Sequence, residues 1–585
     1  MRLFVIAVWL FSIVGSLPSF AAFDKVSDYI KWYGSISPSE DDQVAKVHQI
    51  FERVRNMADK NSQFRRPELV VLKNVSTEFW AEALPDGNIV LWKAAIDTIF
   101  QPANSPNQEI EAEARIAFIL GHELGHLASD DYGFLKRYPK NATQQRRSRE
   151  LAADKKGYAY AALSGYQVHL LLKKTSNNKN FLEQWLKRPT EIYPPIDMSV
   201  AEFQDYLYKI QYKITFFEFG VRLSHFERCN DAVSLLLEFK QVFPAREVFN
   251  NLGYCYLQLA RQEMDNVHAD FYWMPQILDA ETLAAAIVRG EEEVKTLKQA
   301  ARFLSKSATE WLKKAEAVLK QAEAADLDYY PARVNLAVTY LYLGKPFEAR
   351  RWIDEAYLLA PKNLEIQGLR TVIFYEQSGN GLDIWSSAIA PLKKRAAKWN
   401  APPSLIYNLA RLLDIRASKT FSKDAQPYWK RLDRMADRLP KPIRAIVCRQ
   451  PNLVCDTKPS RHQPPRWKWP ISFDELQDFS KHRATLKNQI GDWEEAIPIN
   501  FWPNNQFGHI YQHPHGRAEI LELNDYVQLQ ILKGSNLGSV NQLSNYCGQP
   551  LRQRALARGD LWSCGNWAAL TFDGQKVLEV WQVVR

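Results

Sequence analysis

The segment Phe118 to Ser129 (FILGHELGHLAS) carries two histidines four residues apart, with a glutamate directly after the first. On a helix, residues i and i+4 lie on one face, so His122 and His126 could direct two imidazole nitrogens at one metal ion. Glu123 is displaced by about 100° from His122 around the helix, beside the ion without binding it. This position suits a general base that takes a proton from an attacking water. Two unrelated surface histidines are the alternative.

A catalytic zinc ion usually has three protein ligands and one open position. The candidate for the third ligand is the segment SRELAAD, in which Glu150 and Asp154 again lie four residues apart. One carboxylate could bind zinc while the other hydrogen-bonds a ligand histidine and fixes its tautomer. A solvated pair of helix acids is the alternative. Gly121 and Gly125 both weaken a helix, so a crossing helix or a substrate-carrying strand must pack closely there.

The elements that position these residues can also be predicted. Ser37 to Glu40 (SPSE) is a capping box that predicts a helix start. Glu68 to Asn74 is a β-branched, strand-like run, and Phe79 to Trp92 (FWAEALPDGNIVLW) predicts two short strands joined by a turn. Ser105 to Gln108 is a second capping box, which opens the helix that carries the histidines.

Three segments make the chain resemble the zinc metallopeptidases of family forty-eight, the gluzincin group that includes HtpX, the CAAX prenyl proteases and the BepA-type periplasmic proteases. They are ALPDGNIVLW, HELGH and RELAADKKG followed by GY. The resemblance covers roughly Val44 to Tyr166. BepA-type members also carry tetratricopeptide repeats after the peptidase domain, so the expected domain order agrees with this family.

The resemblance implies one Zn²⁺ per chain with a defined set of residues around it. His122, His126 and Glu150 would be the ligands and Glu123 the catalytic base. Asp154 would orient a ligand histidine. In the family, the ALPDGNIVLW segment forms a β edge beside the cleft. An extended substrate would therefore add as a strand along Asn88, Ile89, Val90 and Leu91.

The chain departs from the family downstream of the third ligand. The family commonly has a His-Pro pair there, whereas this chain has Leu186 to Pro189 (LKRP) without a histidine. Arg188 is a fixed cation that could stabilise an oxyanion. His169 or His225 could supply this function instead, and reduced activity is a further alternative.

From about Phe203 onward the pattern is helical and repeats. Leu336, Ala337, Tyr340, Ala349, Ala356 and Pro361 stand at the packing positions of a tetratricopeptide repeat. We expect units at about Phe217 to Pro244 and Arg333 to Pro361, separated by a long helical insertion from Met264 to Leu327. Stacked helix pairs build a concave surface that could take an envelope protein partner. A helical scaffold without a ligand is the alternative.

The expected fold class is mainly α with a small β component. We expect a signal peptide over 1–22, a gluzincin-type metallopeptidase domain over 23–200, a tetratricopeptide-like helical array over 201–450, a proline-rich linker over 451–470 and a small C-terminal α+β domain over 471–585. In the last domain, Tyr526 to Leu532 resembles a strand and 536–548 a helix. A hairpin turns at Asp573-Gly574. This order loosely resembles small envelope domains of the SmpA/BamE type.

The N-terminus and the cysteines indicate export to the periplasm. The apolar run from Leu3 to Val14 is too short to span a bilayer and precedes small residues, which is typical of a cleaved signal peptide. An uncleaved anchor is the alternative. Six cysteines form three sequence-local pairs, which predicts local disulfides or else buried thiols: Cys229 with Cys255, Cys448 with Cys455, and Cys547 with Cys564.

The net charge of +9 is unevenly distributed. Residues 391–470 contain 19 Lys or Arg against 5 Asp. This stretch could contact an acidic membrane surface or an acidic partner, and a solvated basic helical face is the alternative. The sequence carries no nucleic-acid-binding motif, so we expect no nucleic-acid partner.

These patterns together predict a periplasmic zinc-dependent endopeptidase that hydrolyses protein or peptide substrates, with a role in protein quality control. The rival hypothesis is an envelope assembly factor or chaperone adaptor whose protease activity is secondary or silent. Retention of Glu123 argues against a silent protease, because binding alone does not need a base.

Overall fold

The fold is known from a computed structural model of the chain. It describes residues 24–60, 66–73, 80–100, 106–133, 142–172, 181–186, 200–264, 272, 274, 276–280, 305–378, 382–398, 401–417, 421–436, 439, 441–451, 453, 494–501, 506–512, 518–523, 526–533, 552–556, 559–564, 567–572 and 576–583. The predicted signal peptide and nearly all of the predicted linker lie outside these residues. Within them the chain is mostly helical with two sheets, which confirms the expected fold class.

The first sheet has four short strands: β1 (Ser35–Ile36), β2 (Leu69–Leu72), β3 (Ala81–Ala83) and β4 (Ile89–Trp92). β3 and β4 form an antiparallel hairpin, and β2 pairs with β4 in parallel. Gly87 in the connecting turn has φ 88°, a conformation that favours glycine. The predicted strand is therefore confirmed over Leu69–Leu72, and the predicted hairpin over Ala81–Ala83 and Ile89–Trp92.

The substrate edge predicted along Asn88, Ile89, Val90 and Leu91 is wrong. The strand order is β1-β2-β4-β3, so β4 lies between β2 and β3 and its backbone is paired on both sides. An added strand needs unpaired backbone groups. The edge of the described sheet on this side is β3, the other strand of the same hairpin.

Six helices accompany this sheet: α1 (Val26–Tyr33), α2 (Asp42–Met57), α3 (Lys93–Phe100), α4 (Pro106–Ala128), α5 (Ala142–Leu163) and α6 (Phe181–Leu186). α2 begins later than the capping box at Ser37 predicts, because Asp41 is its cap and accepts from Gln43 and Val44. α4 begins at Pro106, as the second capping box predicts. α4 packs on α5, on α2 and on β3, and so forms the centre of this part of the fold.

Eleven helices are described between residues 200 and 448: α7 (Val200–His225), α8 (Cys229–Val242), α9 (Arg246–Gln262), α10 (Lys306–Ala325), α11 (Tyr330–Tyr342), α12 (Pro346–Leu359), α13 (Leu364–Ser378), α14 (Leu382–Ala396), α15 (Pro403–Arg416), α16 (Gln426–Asp433) and α17 (Lys441–Cys448). Each packs against the next. Helix pairs thus stand at both predicted repeat units. The insertion is not helical throughout, because residues 276–280 between α9 and α10 have no regular secondary structure.

The cysteines of the array differ from the predicted pairing. Cys229 at the start of α8 and Cys255 in α9 are free, buried thiols rather than a disulfide. Cys255 contacts the hydroxyl of Ser224 at 3.1 Å, so these thiols fill the packed interior as small side chains. Cys448 is disulfide-bonded, while Cys455 and Cys547 lie outside the described residues. No helix of the described chain is both long and apolar enough to cross a membrane.

The second sheet comprises eight antiparallel strands: β5 (Glu494–Phe501), β6 (Gln506–Gln512), β7 (Ala518–Leu523), β8 (Tyr526–Lys533), β9 (Arg552–Leu556), β10 (Gly559–Cys564), β11 (Trp567–Phe572) and β12 (Lys576–Val583). Their order is β5-β6-β7-β8-β12-β11-β10-β9. The predicted strand at 526–532 is β8, and the predicted hairpin is β11 with β12. The helix predicted over 536–548 lies outside the described residues.

A buried ion pair joins this sheet to the helices. Arg222 of α7 donates from Nε to Glu579 of β12 at 2.8 Å, and both side chains are almost fully buried. The guanidinium also lies over the ring of Trp581, at 5.6 Å from its centroid. Glu218 is a second carboxylate partner, but at 3.4 Å. The sheet and the helices therefore share one desolvated charge contact.

Removing one member of this pair should strongly destabilise the protein. Glu579→Ala leaves the Arg222 guanidinium buried without its nearest carboxylate, which costs about 3–5 kcal/mol. Asp231→Ala is the control, because it removes the partner of the more exposed Arg228 and should cost less than about 1 kcal/mol. Denaturant unfolding of both variants measures the difference. Equal losses would show that the Arg222 contact contributes no more than a surface pair.

Candidate metal centre

The two helices that carry the candidate ligands touch through their backbones. A Cβ atom built on Gly121 of α4 would lie 2.8 Å from the carbonyl oxygen of Gly157 in α5. A Cβ on Gly157 would lie 2.6 Å from the backbone nitrogen of His122. Gly125 is next, with Ala153 at 3.2 Å from its hypothetical Cβ. The crossing helix expected at Gly121 and Gly125 is therefore present, and it is α5.

This crossing brings the three predicted ligands together. The Nε2 atoms of His122 and His126 are 3.0 Å apart. The carboxylate of Glu150 lies 3.5 Å from Nε2 of His122 and 3.3 Å from Nε2 of His126. One ligand atom from each residue falls within 4.8 Å of the others, so all three could contact one ion.

Two aspartates hold the opposite sides of the imidazole rings. Nδ1 of His122 is 2.8 Å from Asp154, as the sequence predicts for an orienting carboxylate. Nδ1 of His126 is 2.7 Å from Asp131, a residue that the sequence analysis missed. Because each Nδ1–H donates to a carboxylate, each Nε2 keeps its lone pair for a ligand. Both rings are thus fixed in the tautomer that a metal ion needs.

Further contacts hold the two aspartates. The indole nitrogen of Trp185 in α6 donates to Asp154 at 2.8 Å, and the Trp185 ring packs edge-on against His122. Arg149 of α5 donates to Asp131. Asp131 lies three residues beyond the end of α4, and its neighbour Asp130 has φ 48°. The repeated acids Asp130-Asp131 directly after the helix were the available sequence signal.

The charge balance of this cluster fits a divalent cation. Four carboxylates, those of Glu123, Asp131, Glu150 and Asp154, surround two imidazoles. Burial opposes a charge on the His122 ring, but the hydrogen bonds to Asp154 and Glu150 outweigh it and raise the pKa of His122 to about 9. The raised pKa indicates that the surrounding carboxylates favour a positive charge at the two rings, and a metal cation could take the place of the proton. The donor set of two imidazoles and a carboxylate suits zinc.

Glu123 lies between this cluster and the edge strand β3. Its Oε2 accepts a hydrogen bond from the backbone N–H of Ala83 at 2.8 Å. The Ala83 carbonyl accepts from the hydroxyl of Tyr132, which the sequence analysis also missed. The candidate base is therefore placed at the strand beside which a substrate would have to lie.

The strand β3 carries a carboxyl group of its own, that of Glu82. Burial raises the pKa of Glu82 to about 7, the charge of Glu123 adds to this effect, and the hydrogen bond from Tyr29 at 2.6 Å opposes it. Glu82 therefore changes protonation near neutral pH, close to the candidate base.

Neither histidine that could stabilise the transition state joins the cluster. Arg188 lies outside the described residues. His169 is exposed on a 3-10 helix (Val168–Leu172). His225 packs against Trp581 of the second sheet, with ring centroids 5.9 Å apart. Of the predicted site residues, the structure thus unites the three ligands, the base and Asp154.

Residues 41–138 match the model of peptidase family M48. The matched stretch holds β3, β4 and α4 with both histidines and Glu123, and it ends before Glu150 of α5. The match supports a relation of this part of the chain to the M48 zinc metallopeptidases, in agreement with the resemblance over Val44 to Tyr166. The comparison with curated proteins finds no match to the chain.

The backbone contact between α4 and α5 should control metal affinity. Gly157→Ala places a methyl group against the His122 backbone and must push the helices apart, which costs about 1–3 kcal/mol. Zinc affinity, measured by chelator competition, should fall about 10- to 100-fold. Gly368→Ala is the matched control, because its added Cβ would have no neighbour closer than 3.5 Å. Identical zinc affinities in both variants would disprove this role of the contact.

Proposed function

We propose that the protein is an exported, periplasmic zinc-dependent endopeptidase that hydrolyses peptide bonds of envelope proteins in quality control. One observation carries the proposal: two imidazoles and a carboxylate converge, with an additional carboxylate held between them and an edge strand. A metal site used only for stability would not need Glu123 beside an edge strand. The family match over 41–138 supports the same chemistry.

Each residue of the site would have a separate role in peptide hydrolysis. His122, His126 and Glu150 would hold a zinc ion, which would supply the positive charge to polarise a peptide carbonyl and acidify water. Glu123 accepts the proton of the attacking water and passes it to the leaving amine. The Ala83 N–H holds one oxygen of Glu123 at 2.8 Å and leaves the other for the proton.

The substrate would extend along β3. In the hairpin, Trp92 N–H pairs with the Trp80 carbonyl and Leu84 N–H with the Asn88 carbonyl, so the backbone groups of Ala81 and Ala83 point away from β4. Those of Ala83 are bonded to Glu123 and Tyr132, so the N–H and carbonyl of Ala81 are the groups that could pair with an extended peptide. Since such pairing uses main-chain atoms, it suits a peptidase that accepts many unfolded sequences.

The compartment and partners rest on other observations. The N-terminal apolar run and the disulfide-bonded Cys448 support an oxidising, exported location. The helices from α7 to α17 carry none of the candidate metal ligands and would dock an envelope protein partner, as tetratricopeptide repeats do. This docking role is also the basis of the rival function, an assembly factor or adaptor. The basic stretch over 391–470 would face an acidic membrane surface or partner.

The different roles of the base Glu123 and the ligand Glu150 give the first test. Glu123→Gln should keep one zinc per chain and lower hydrolysis of an unfolded protein about 100- to 10,000-fold, because the amide cannot accept the proton. Glu150→Ala should lose both zinc and activity, because it removes a ligand. Metal analysis and cleavage assays on purified protein measure both quantities. Wild-type turnover in Glu123→Gln would exclude the mechanism, and full zinc in Glu150→Ala would exclude this third ligand.

The edge strand gives the second test. Ala81→Pro removes an outward N–H, a change that an edge strand tolerates. Loss of one hydrogen bond should raise KM for an unfolded protein up to about tenfold and leave zinc content unchanged. Ala81→Ser, which keeps the N–H, is the control and should behave as wild type. An unchanged KM in the proline variant would show that substrate does not pair with β3.

A further inference from the structure

A non-helical piece of the chain lies inside the helical array. Residues 276–280 (QILDA) connect towards α10 without forming a helix or strand, and all five are buried. Tyr272 and Met274, a few residues earlier, are buried as well. A buried segment outside any helix or strand needs hydrogen-bond partners for its peptide groups.

Asparagine side chains supply these partners. Asn335 of α11 accepts from the N–H of Ile277 at 2.7 Å and donates to the carbonyl of the same residue at 2.8 Å. Asn251 of α9 likewise accepts from the N–H of Asp279 at 2.7 Å and donates to the carbonyl of Asp279 at 2.8 Å. Asn250 adds a bond to the Ile277 carbonyl at 2.9 Å. Both backbone groups of residues 277 and 279 are therefore satisfied by carboxamides.

The hydrogen bonds from the asparagines to residues 277 and 279 have the spacing of those that a neighbouring β-strand would make. In an extended chain, residues i and i+2 present their N–H and C=O groups on the same edge. Asn335 and Asn251 thus stand where the backbone of a neighbouring strand would stand. Asn250 links them, since it accepts from Asn335 at 3.0 Å and donates to Asn251 at 3.3 Å. The contacts depend on the main chain rather than on the side chains of the segment.

The segment follows one face of the array. Tyr272 lies close enough to Glu376 of α13 and Arg411 of α15 for both charges to act on its hydroxyl. Ile277 and Asp279 lie at α11 and α9. These are alternate helices, and alternate helices of stacked pairs line a common face. α9 also contacts α11, and α13 contacts α15.

Three buried carboxamides are costly in an apolar core unless each finds a partner. Asn250, Asn251 and Asn335 are buried and find their partners mainly in the segment. The groove adds some side-chain contacts: Gln258 bonds Gln276 at 3.2 Å, and Tyr329 donates to Asp279. The face is thus built to hold an extended peptide in which two apolar residues precede an acidic one.

We propose that the face lined by α9, α11, α13 and α15 is a peptide-binding groove, and that residues 276–280 are an internal ligand that a partner's extended peptide of the same pattern replaces. This proposal deepens the docking role given above and does not depend on peptide hydrolysis. It implies that the groove of the isolated protein is already filled. A partner therefore binds only in competition with the chain's own segment, which restricts docking to segments that match it.

The test uses the full-length Glu123→Gln chain, so that the probe is not cut, and a fluorescent peptide with the sequence of residues 272–280 (YWMPQILDA). Ile277→Gly with Leu278→Gly weakens the internal segment, and peptide affinity should rise at least about tenfold, because the competent groove becomes more populated. Adding Asn335→Ala should reverse the gain. The control peptide is N-methylated at the isoleucine corresponding to Ile277 and should bind about tenfold more weakly.

Hydrogen exchange provides a second measurement that needs no groove variant. Excess peptide should speed amide exchange in residues 276–280 of the Glu123→Gln chain, because the internal segment leaves the asparagines, whereas the N-methylated peptide should not. If excess peptide neither binds the glycine variant nor changes this exchange, the segment is a permanent part of the core and the proposal is overturned. Loss of peptidase activity in the wild type would instead contradict the proposed function and leave these outcomes unaffected.

Discussion

The close contact between the backbones of α4 and α5 is the constraint on which the metal centre depends. Gly121 and Gly157 leave no space for side chains between the helices, with hypothetical Cβ contacts of 2.8 and 2.6 Å. At this separation the carboxylate of Glu150 reaches both histidine rings, and Asp154 reaches the Nδ1 of His122. Two glycines in helix interiors each cost about 1 kcal/mol relative to alanine. The fold therefore gives up local helix stability for the position of its ligands.

Charge then determines what such a site can do. Buried carboxylates hold the rings of His122 and His126 from behind and leave both Nε2 atoms facing a common point. A cation at that point would balance the negative charge of the surrounding carboxylates. Glu123 remains outside the ligand set because the neighbouring strand holds it through Ala83. The same strand is the sheet edge, so the base and the expected position of a substrate are fixed by one hydrogen bond.

Local sequence patterns predicted much of this arrangement. Some features that depend on contacts between residues distant in sequence were not predicted correctly. The spacing of residues in HELGH and RELAAD predicts which side chains share a helix face, and the glycines predict where another helix packs closely. Both predictions need only the pattern within a single helix. The choice of edge strand failed, since a hairpin alone does not show which strand meets β2. Asp131 was missed because it follows the end of the helix, where helical periodicity no longer predicts which way a side chain points. Cys229 and Cys255 are near in sequence but unbridged, and the non-helical residues 276–280 lay in a stretch with a helical pattern.

We propose that two imidazoles and one carboxylate of this chain hold a single zinc ion. X-ray absorption at the zinc edge, on purified full-length protein reconstituted with one equivalent of zinc, identifies these ligands. We expect nitrogen or oxygen ligands only, at about 2.0–2.2 Å, with the scattering pattern of two imidazole rings. The signal of one imidazole should be lost in His126→Ala. A sulfur ligand at about 2.3 Å, or a spectrum that His126→Ala leaves unchanged, would exclude this ligand set.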